Sequence, residues 1–350
     1  MPPWIINIAN NRQTIMTKVL TIIVPSYNMQ SYLGRCLDSL KCPLQSLMQV
    51  IIVNDGSKDK TLDIAKEYER QWPDVYQVID KQNGNYGSCI NAALPLAKGK
   101  YIKVLDADDC FDPATFNQFI EKLKDVSTDM VITDYVKVWP DKEERMHCPL
   151  TPNKELDFIP LCKEKKIWNL WMHNVTYLTQ HLKDLKYHQT EGISYTDQEW
   201  IFQPFTAVRK VIYLDLPLYR YTLGREGQTM SDEFQKSHFA DNIVCTCNML
   251  QLCTTFQNSP EAIRQFLEYK LYRRCKYIYR TYIVKQGMLD DTHLQKLDKV
   301  LEQYTPDLYR AVGNILLSKP LLPIRYIKLW RRDPHSKELR IALKLYKIIH

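Results

Sequence analysis

The chain has 350 residues, of which 45% are hydrophobic and 25% charged, with a formal net charge of +7. That composition is ordinary for a globular protein with a sizeable core and excludes a disordered or fibrous chain. The charge is too small to argue for nucleic acid, but it suits an anionic substrate or an anionic lipid surface. No apolar run is long enough to span a bilayer. The ten cysteines form no CxxC pair and no regular framework, and no secretory signal is legible, so reduced thiols in a cytoplasmic protein are expected.

Residues 1–15 lack a clear period and precede a second methionine, Met16, which opens MTKVLTIIVPSYN. They are expected to be a loose extension or an over-called start. Val19 to Val24 is a continuous apolar run, the mark of a strand buried on both faces of a parallel sheet. Pro25-Ser26-Tyr27-Asn28 ends it, and Tyr32 to Leu40 has helical spacing. A second buried strand, Val50 to Val53, closes in Asn54-Asp55-Gly56-Ser57. A helix from about Thr61 to Arg70, a strand from Val75 to Ile79, a turn-rich loop and a helix from Ser88 to Ala97 follow. This alternation predicts an α/β fold with a doubly wound, mostly parallel sheet.

Tyr101 to Leu105 is a further strand that runs straight into Asp106, Asp108 and Asp109. An Asp-x-Asp at a strand end puts two carboxylates on one side of the chain, at the sheet edge where α/β ligands bind. Like charges so close call for a cation, and a divalent metal is the natural partner. Helix capping at Asp112-Pro113 accounts for Asp112 but leaves Asp106 and Asp108 unexplained. Another strand spans Val131 to Val138; Trp168 to Leu182 is aromatic and apolar; Val211 to Tyr221 is strand-like. From about Asp232 the pattern is helical, and Lys337 to Ile349 has amphipathic spacing with a basic face. The expected organisation is therefore an extension over 1–17, a catalytic domain over 18–230 and a helical C-terminal region over 231–350.

The motifs TIIVPSYN at 21–28, IVNDGS at 52–57, the loop Asn83 to Asn91, Asp106-Ala107-Asp108-Asp109 and Thr196-Asp197 occur in order and at sensible spacing. Together they resemble a family 2 glycosyltransferase, the inverting, nucleotide-sugar-dependent type with the Rossmann-like GT-A fold. GISYTDQEW and the YxYxxGREGQT segment resemble bacterial members that build capsular or exopolysaccharide repeats. The resemblance implies a nucleotide-sugar donor, a UDP-sugar by expectation. Asp55 would accept the uracil N–H, with Pro25 and Tyr27 lining the base pocket. Gly84 and Asn85 would lie near the nucleotide, where backbone N–H groups opening a helix face it. Asp106 would touch the ribose, and Asp108 would bind Mn²⁺ or Mg²⁺. Ile90 stands where the family often has Arg, so any contact from that Arg is absent or supplied elsewhere.

The resemblance also implies one carboxylate base on the face opposite the leaving group. Asp197 is assigned to it, with Glu199 and Glu191 as competitors and helix capping by Thr196-Asp197 as the bland reading. Arg225, in a glycine-flanked loop, would clamp the diphosphate. Trp171, His173 and Glu191 are assigned to the acceptor side. The acceptor is expected to be a lipid-linked or oligosaccharide glycan, with no nucleic acid partner and with membrane contact through the C-terminal region. Two alternatives compete. A sugar nucleotidyltransferase would want a glycine-rich basic loop after the first strand, which is missing. A non-catalytic scaffold of the same fold would be expected to lack the acidic set Asp55, Asp106, Asp108 and Asp197.

Overall fold

The computed structural model describes residues 18–224, 237–318 and 323–349. Its first half follows the apolar runs of the sequence. Strands β1 (Leu20–Ser26), β2 (Met48–Asp55), β3 (Tyr76–Lys81) and β4 (Tyr101–Val104) alternate with helices α1 (Leu33–Asp38), α2 (Thr61–Gln71) and α3 (Asn85–Ala93). β1 lies between β2 and β4, and β2 between β1 and β3, all parallel. The register runs from Leu20 opposite Met48 to Ser26 opposite Asn54, so both strands deliver their turns to the same edge.

Side chains of these strands alternate between two cores. Leu20, Ile22, Val24, Val50 and Ile52 face one; Ile23, Ile51, Val53, Ile102 and Val104 face the other. Burial on both faces is why the runs read as continuous rather than alternating. Each such side chain contributes about 1.5–3 kcal/mol on leaving water.

The second half of the sheet is mixed. β5 (Cys110–Phe111) and α4 (Pro113–Leu123) precede β6 (Met130–Val138) and β7 (Glu143–Met146), and β8 (Glu155–Asp157) leads into α5 (Phe158–Lys163). Next come β9 (Val175–Leu178), α6 (Thr179–Asp184), α7 (Asp197–Trp200) and the long β10 (Lys210–Thr222). The sheet order is β3-β2-β1-β4-β9-β6-β10-β5, with β7 on β6 and β8 on β10. β9 is antiparallel to both β4 and β6, so the parallel part stops at β4 on that side, although β6 and β10 pair in parallel. The sequence marks β9 only as part of an aromatic, apolar stretch. Four residues, Val175 to Leu178, carry too little pattern to mark a strand, and the pairing across the sheet makes them one.

The C-terminal helices are α8 (Phe239–Leu252), α9 (Glu261–Tyr279), α10 (Thr292–Tyr304), α11 (Pro306–Gly313), α12 (Tyr326–Arg332) and α13 (Lys337–Ile349). α9 continues into a π-helical stretch, Arg280–Gln286, that ends at Gly287 with φ +70°. Ile243, Phe266, Leu271, Ile283, Leu301 and Ile327 belong to the same apolar cluster as Ile51 and Ile102. The C-terminal helices and one face of the sheet therefore share a core. Among the described residues no helix is long and apolar enough to cross a membrane.

Candidate active site

The turns after β1 and β2 are knit together. Asn28, at φ +54°, donates its N–H to Ser57 Oγ (3.0 Å) and accepts from Lys58 N through Oδ1 (2.8 Å). Pro25 is buried within β1, whereas Tyr27 is 45% exposed. A ring that size left in water beside a ligand edge is available for stacking.

Asp55, the last residue of β2, is buried. Its Oδ1 accepts from Lys81 Nζ (2.6 Å), Gly84 N (3.0 Å) and, more loosely, Ser88 Oγ (3.5 Å). All of these donors go to one oxygen. Asn83 Nδ2 also donates to the Asp55 carbonyl (2.9 Å). The loop before α3 is thus folded around Asp55.

The helix starts at Asn85, earlier than its spacing predicts, in a left-handed backbone with φ +64°. Two glycines allow the close packing. A Cβ on Gly84 would lie 2.7 Å from Ser88 Oγ, and one on Gly87 would lie 2.1 Å from Thr190 O. Gly84 O in turn accepts from Gly192 N (2.8 Å), which ties this loop to the segment leading to α7.

The carboxylates after β4 form the centre of the site. Tyr86 donates its hydroxyl to Asp106 Oδ1 (2.9 Å). Tyr219, on β10, accepts from Asp106 N (3.2 Å) and donates to Asp109 Oδ2 (2.8 Å). Asp109 is buried and also accepts from Thr222 N (2.7 Å). Arg35, from α1, donates to the Asp108 carbonyl (2.7 Å) and to Thr222 Oγ1 (3.1 Å). Burial, followed by the neighbouring Asp108 carboxylate, pushes Asp106 up to about 7 and Asp109 well above the ordinary carboxylate range.

Three acidic side chains in one partly dry site repel each other unless a cation neutralises them. Their hard oxygen chemistry suits Mn²⁺ or Mg²⁺. Asp109 already accepts at both of its oxygens, so any such ion would have to be met by Asp106 and Asp108.

A different cluster, Asp134, His147 and Asp215, brings ligand atoms within 4.8 Å of one another and offers another acidic and histidine set for a cation. There Arg145 already reaches both Asp134 (2.6 Å) and Asp215. Its guanidinium supplies the positive charge, and a metal would have to displace it.

Tyr219 was not among the residues expected from the sequence; one aromatic residue in Tyr219-Arg220-Tyr221 looks like any other strand residue. Tyr219→Phe leaves the buried Asp109 with one donor fewer. It is expected to cost about 1–3 kcal/mol in thermal or denaturant unfolding, the penalty of a poorly satisfied buried carboxylate.

Asp197 opens α7 after Thr196 and accepts from Gln198 Nε2 (2.8 Å). Desolvation raises its carboxyl, and it shares the electrostatic field of Asp106 and Tyr86. Its competitors stand differently. Glu199 is buried, with Thr190 N on one oxygen (2.7 Å) and Thr190 Oγ1 on the other (2.6 Å). A carboxylate so occupied anchors the segment before α7. Glu199→Gln is therefore expected to lower stability by about 1–3 kcal/mol, read from the unfolding midpoint, while the folded fraction keeps its turnover. Glu191 is exposed and accepts from Asn91 Nδ2 (2.8 Å).

Trp171 is 45% exposed, but His173 is buried. The His173 ring lies 4.5 Å from both Tyr219 and Tyr221, and burial with Lys103 nearby lowers it to about 3. It is a neutral ring packed against Tyr219, the residue that bonds Asp106 and Asp109. Lys103, fully buried in β4, donates to the carbonyls of His173 (2.8 Å) and Val175 (3.1 Å), so it pins this segment to the sheet. Arg225 lies outside the described residues.

The family model for glycosyl transferase family 2 matches residues 21–185. An uncharacterized glycosyltransferase of Mycoplasma genitalium, MG060, is 35% identical over 234 residues, covering 63% of this chain and 74% of the relative. The putative glycosyltransferase EpsH of Bacillus subtilis is 28% identical over 235 residues, covering 65% and 67%. Among solved structures, residues 1–349 of S. aureus TarS in complex with UDP-GlcNAc superpose with a TM-score of 0.69. That match is 21% identical and covers 94% of this chain and 91% of the other. The sequence relatives and the shared fold agree with the motifs at the sheet edge: this chain belongs to glycosyl transferase family 2.

Proposed function

We propose that the chain transfers a sugar, with inversion, from a UDP-sugar to a hydroxyl of a growing bacterial surface glycan. The observation that carries this reading is the hydrogen bond of Tyr86 to Asp106 at the carboxyl end of β4 (2.9 Å), within electrostatic reach of Asp108 and Asp197. Asp55 accepts from the uracil N–H, with Pro25 and Tyr27 against the base and the Gly84–Asn85 turn beside it. Asp106 holds the ribose, and Arg225 clamps the diphosphate. Asp108 holds Mn²⁺ or Mg²⁺. When bound, that cation offsets the charge that develops on the departing diphosphate. TarS, whose fold this chain shares, was crystallised with UDP-GlcNAc, which supports the uridine class.

In the transfer step the acceptor oxygen forms a bond to the anomeric carbon as the bond from that carbon to the diphosphate oxygen breaks. Asp197 takes the hydroxyl proton, and the nucleoside diphosphate leaves with the bonding electron pair. Trp171 offers an exposed ring for an acceptor sugar to stack on, Glu191 lies at the rim, and His173 shapes the wall behind. The acceptor is a lipid-linked or oligosaccharide glycan, used at the inner face of the plasma membrane. Turnover of a panel of UDP-sugars with such acceptors, with NMR of the product anomer, tests the reading. An inverted anomeric centre and stoichiometric UDP are expected; a retained configuration overturns it.

A further inference from the structure

α13 divides into three lengthwise faces. Leu339 and Ala342 are buried, and Leu343 and Tyr346 pack against the core. At 100° per residue, Ile341, Leu345 and Ile348 form a second apolar stripe that turns away from that inner face. It is uncovered: Ile341 is 57% exposed, Leu345 40%, Ile348 80%, and the adjoining Ile349 42%. The other large exposed apolar side chains among the described residues (Tyr27, Leu96, Trp171, Tyr277 and Met288) lie apart along the chain. Arg340, Lys344 and Lys347 repeat the same spacing one residue earlier, so an exposed basic stripe runs alongside the exposed apolar one. Glu338 is the helix's one acidic residue, and Arg332 of α12 lies 3.6 Å from it.

A solvated helix face would not carry three aliphatic side chains in register, and a stripe of this kind marks a contact surface. Its neighbour decides the occupant. A second copy using the same face would bring two basic stripes together, whereas an anionic bilayer meets lysine and arginine with headgroup charge and the isoleucines with acyl chain. The geometry points to α13 as a membrane-surface helix: its Ile341–Leu345–Ile348 stripe enters the interface of an anionic bilayer while Arg340, Lys344 and Lys347 engage the headgroups. This goes beyond the donor-site reading and stands without it.

The test is flotation of the full chain with vesicles of phosphatidylcholine alone and of an equimolar mixture with phosphatidylglycerol, at low and high salt. Wild type is expected to float with the mixed vesicles and to lose them in high salt. The triple substitution Ile341→Ser/Leu345→Ser/Ile348→Ser should weaken binding at least about tenfold. Arg340→Glu/Lys344→Glu/Lys347→Glu should weaken it by roughly a hundredfold or more, about fivefold for each basic charge lost. All six positions are exposed, so both variants should melt like wild type. Asp108→Ala should float normally, so failure of the donor reading leaves this result intact. Absence of wild-type binding, or equal binding by the serine variant, overturns the proposal. So does a concentration-dependent dimer that the serine substitutions dissolve, since the stripe would then belong to a contact between copies.

Discussion

Asp108→Ala is expected to lower kcat on the order of 10³-fold or more, because a metal that offsets diphosphate charge is worth several kcal/mol in the transition state. The loss should persist at saturating Mn²⁺. The same substitution should stabilise the metal-free protein by up to ~1–2 kcal/mol, since Asp108 is the charge that helps push up both Asp106 and Asp109. Opposite signs on turnover and unfolding midpoint are what separate a functional carboxylate from a structural one. Paired rate and melting measurements read both. A fall in stability without loss of rate would place Asp108 in the scaffold.

Asp197→Asn should be the second large effect, a loss of about 10²–10⁴ in kcat with UDP binding retained, the range for removing a general base. It also carries a pH signature. A base works only when ionised, and burial raises the Asp197 carboxyl. Rate should therefore fall as pH drops through this raised value, so the acid limb should sit higher than an unburied aspartate would place it. In Asp197→Asn the residual rate should lose that limb. An unchanged limb would transfer the role to another group, although Glu199 is poorly placed for it, with both oxygens held by Thr190.

The strands that carry the site were legible because parallel strands buried on both faces leave unbroken apolar runs, as in Leu20–Ser26 and Met48–Asp55. The clustering of carboxylates after β4 was legible for the same reason: a strand that stops at Asp-x-Asp has only one edge at which to present it. What the sequence hid was pairing at a distance. Tyr219 meets Asp109 across 110 residues, and Lys103 meets His173 across 70. Neither separation leaves a local pattern. His173 stands near Trp171 in the sequence, and only the fold brings three tyrosine rings, Tyr135, Tyr219 and Tyr221, around it. Glu199 and Asp197 are two residues apart and chemically alike, and only the fold separates an occupied carboxylate from an available one.

Lys81 gives the proposed uridine site a further expectation. Its Nζ holds Asp55 Oδ1 at 2.6 Å, a charge-assisted contact that keeps the carboxylate turned toward the loop before α3. Lys81→Met should weaken nucleotide affinity while sparing the chemistry, seen as a rise in KM for donor with kcat within a few-fold of wild type.

Calorimetric titration of UDP into the wild-type protein, once with Mn²⁺ and once with EDTA, tests the central claim most directly. Saturable binding that requires the metal, with GDP binding more weakly, is the predicted result. Absence of UDP binding under both conditions, or binding indifferent to EDTA, would contradict a metal-dependent uridine donor site at the end of β4.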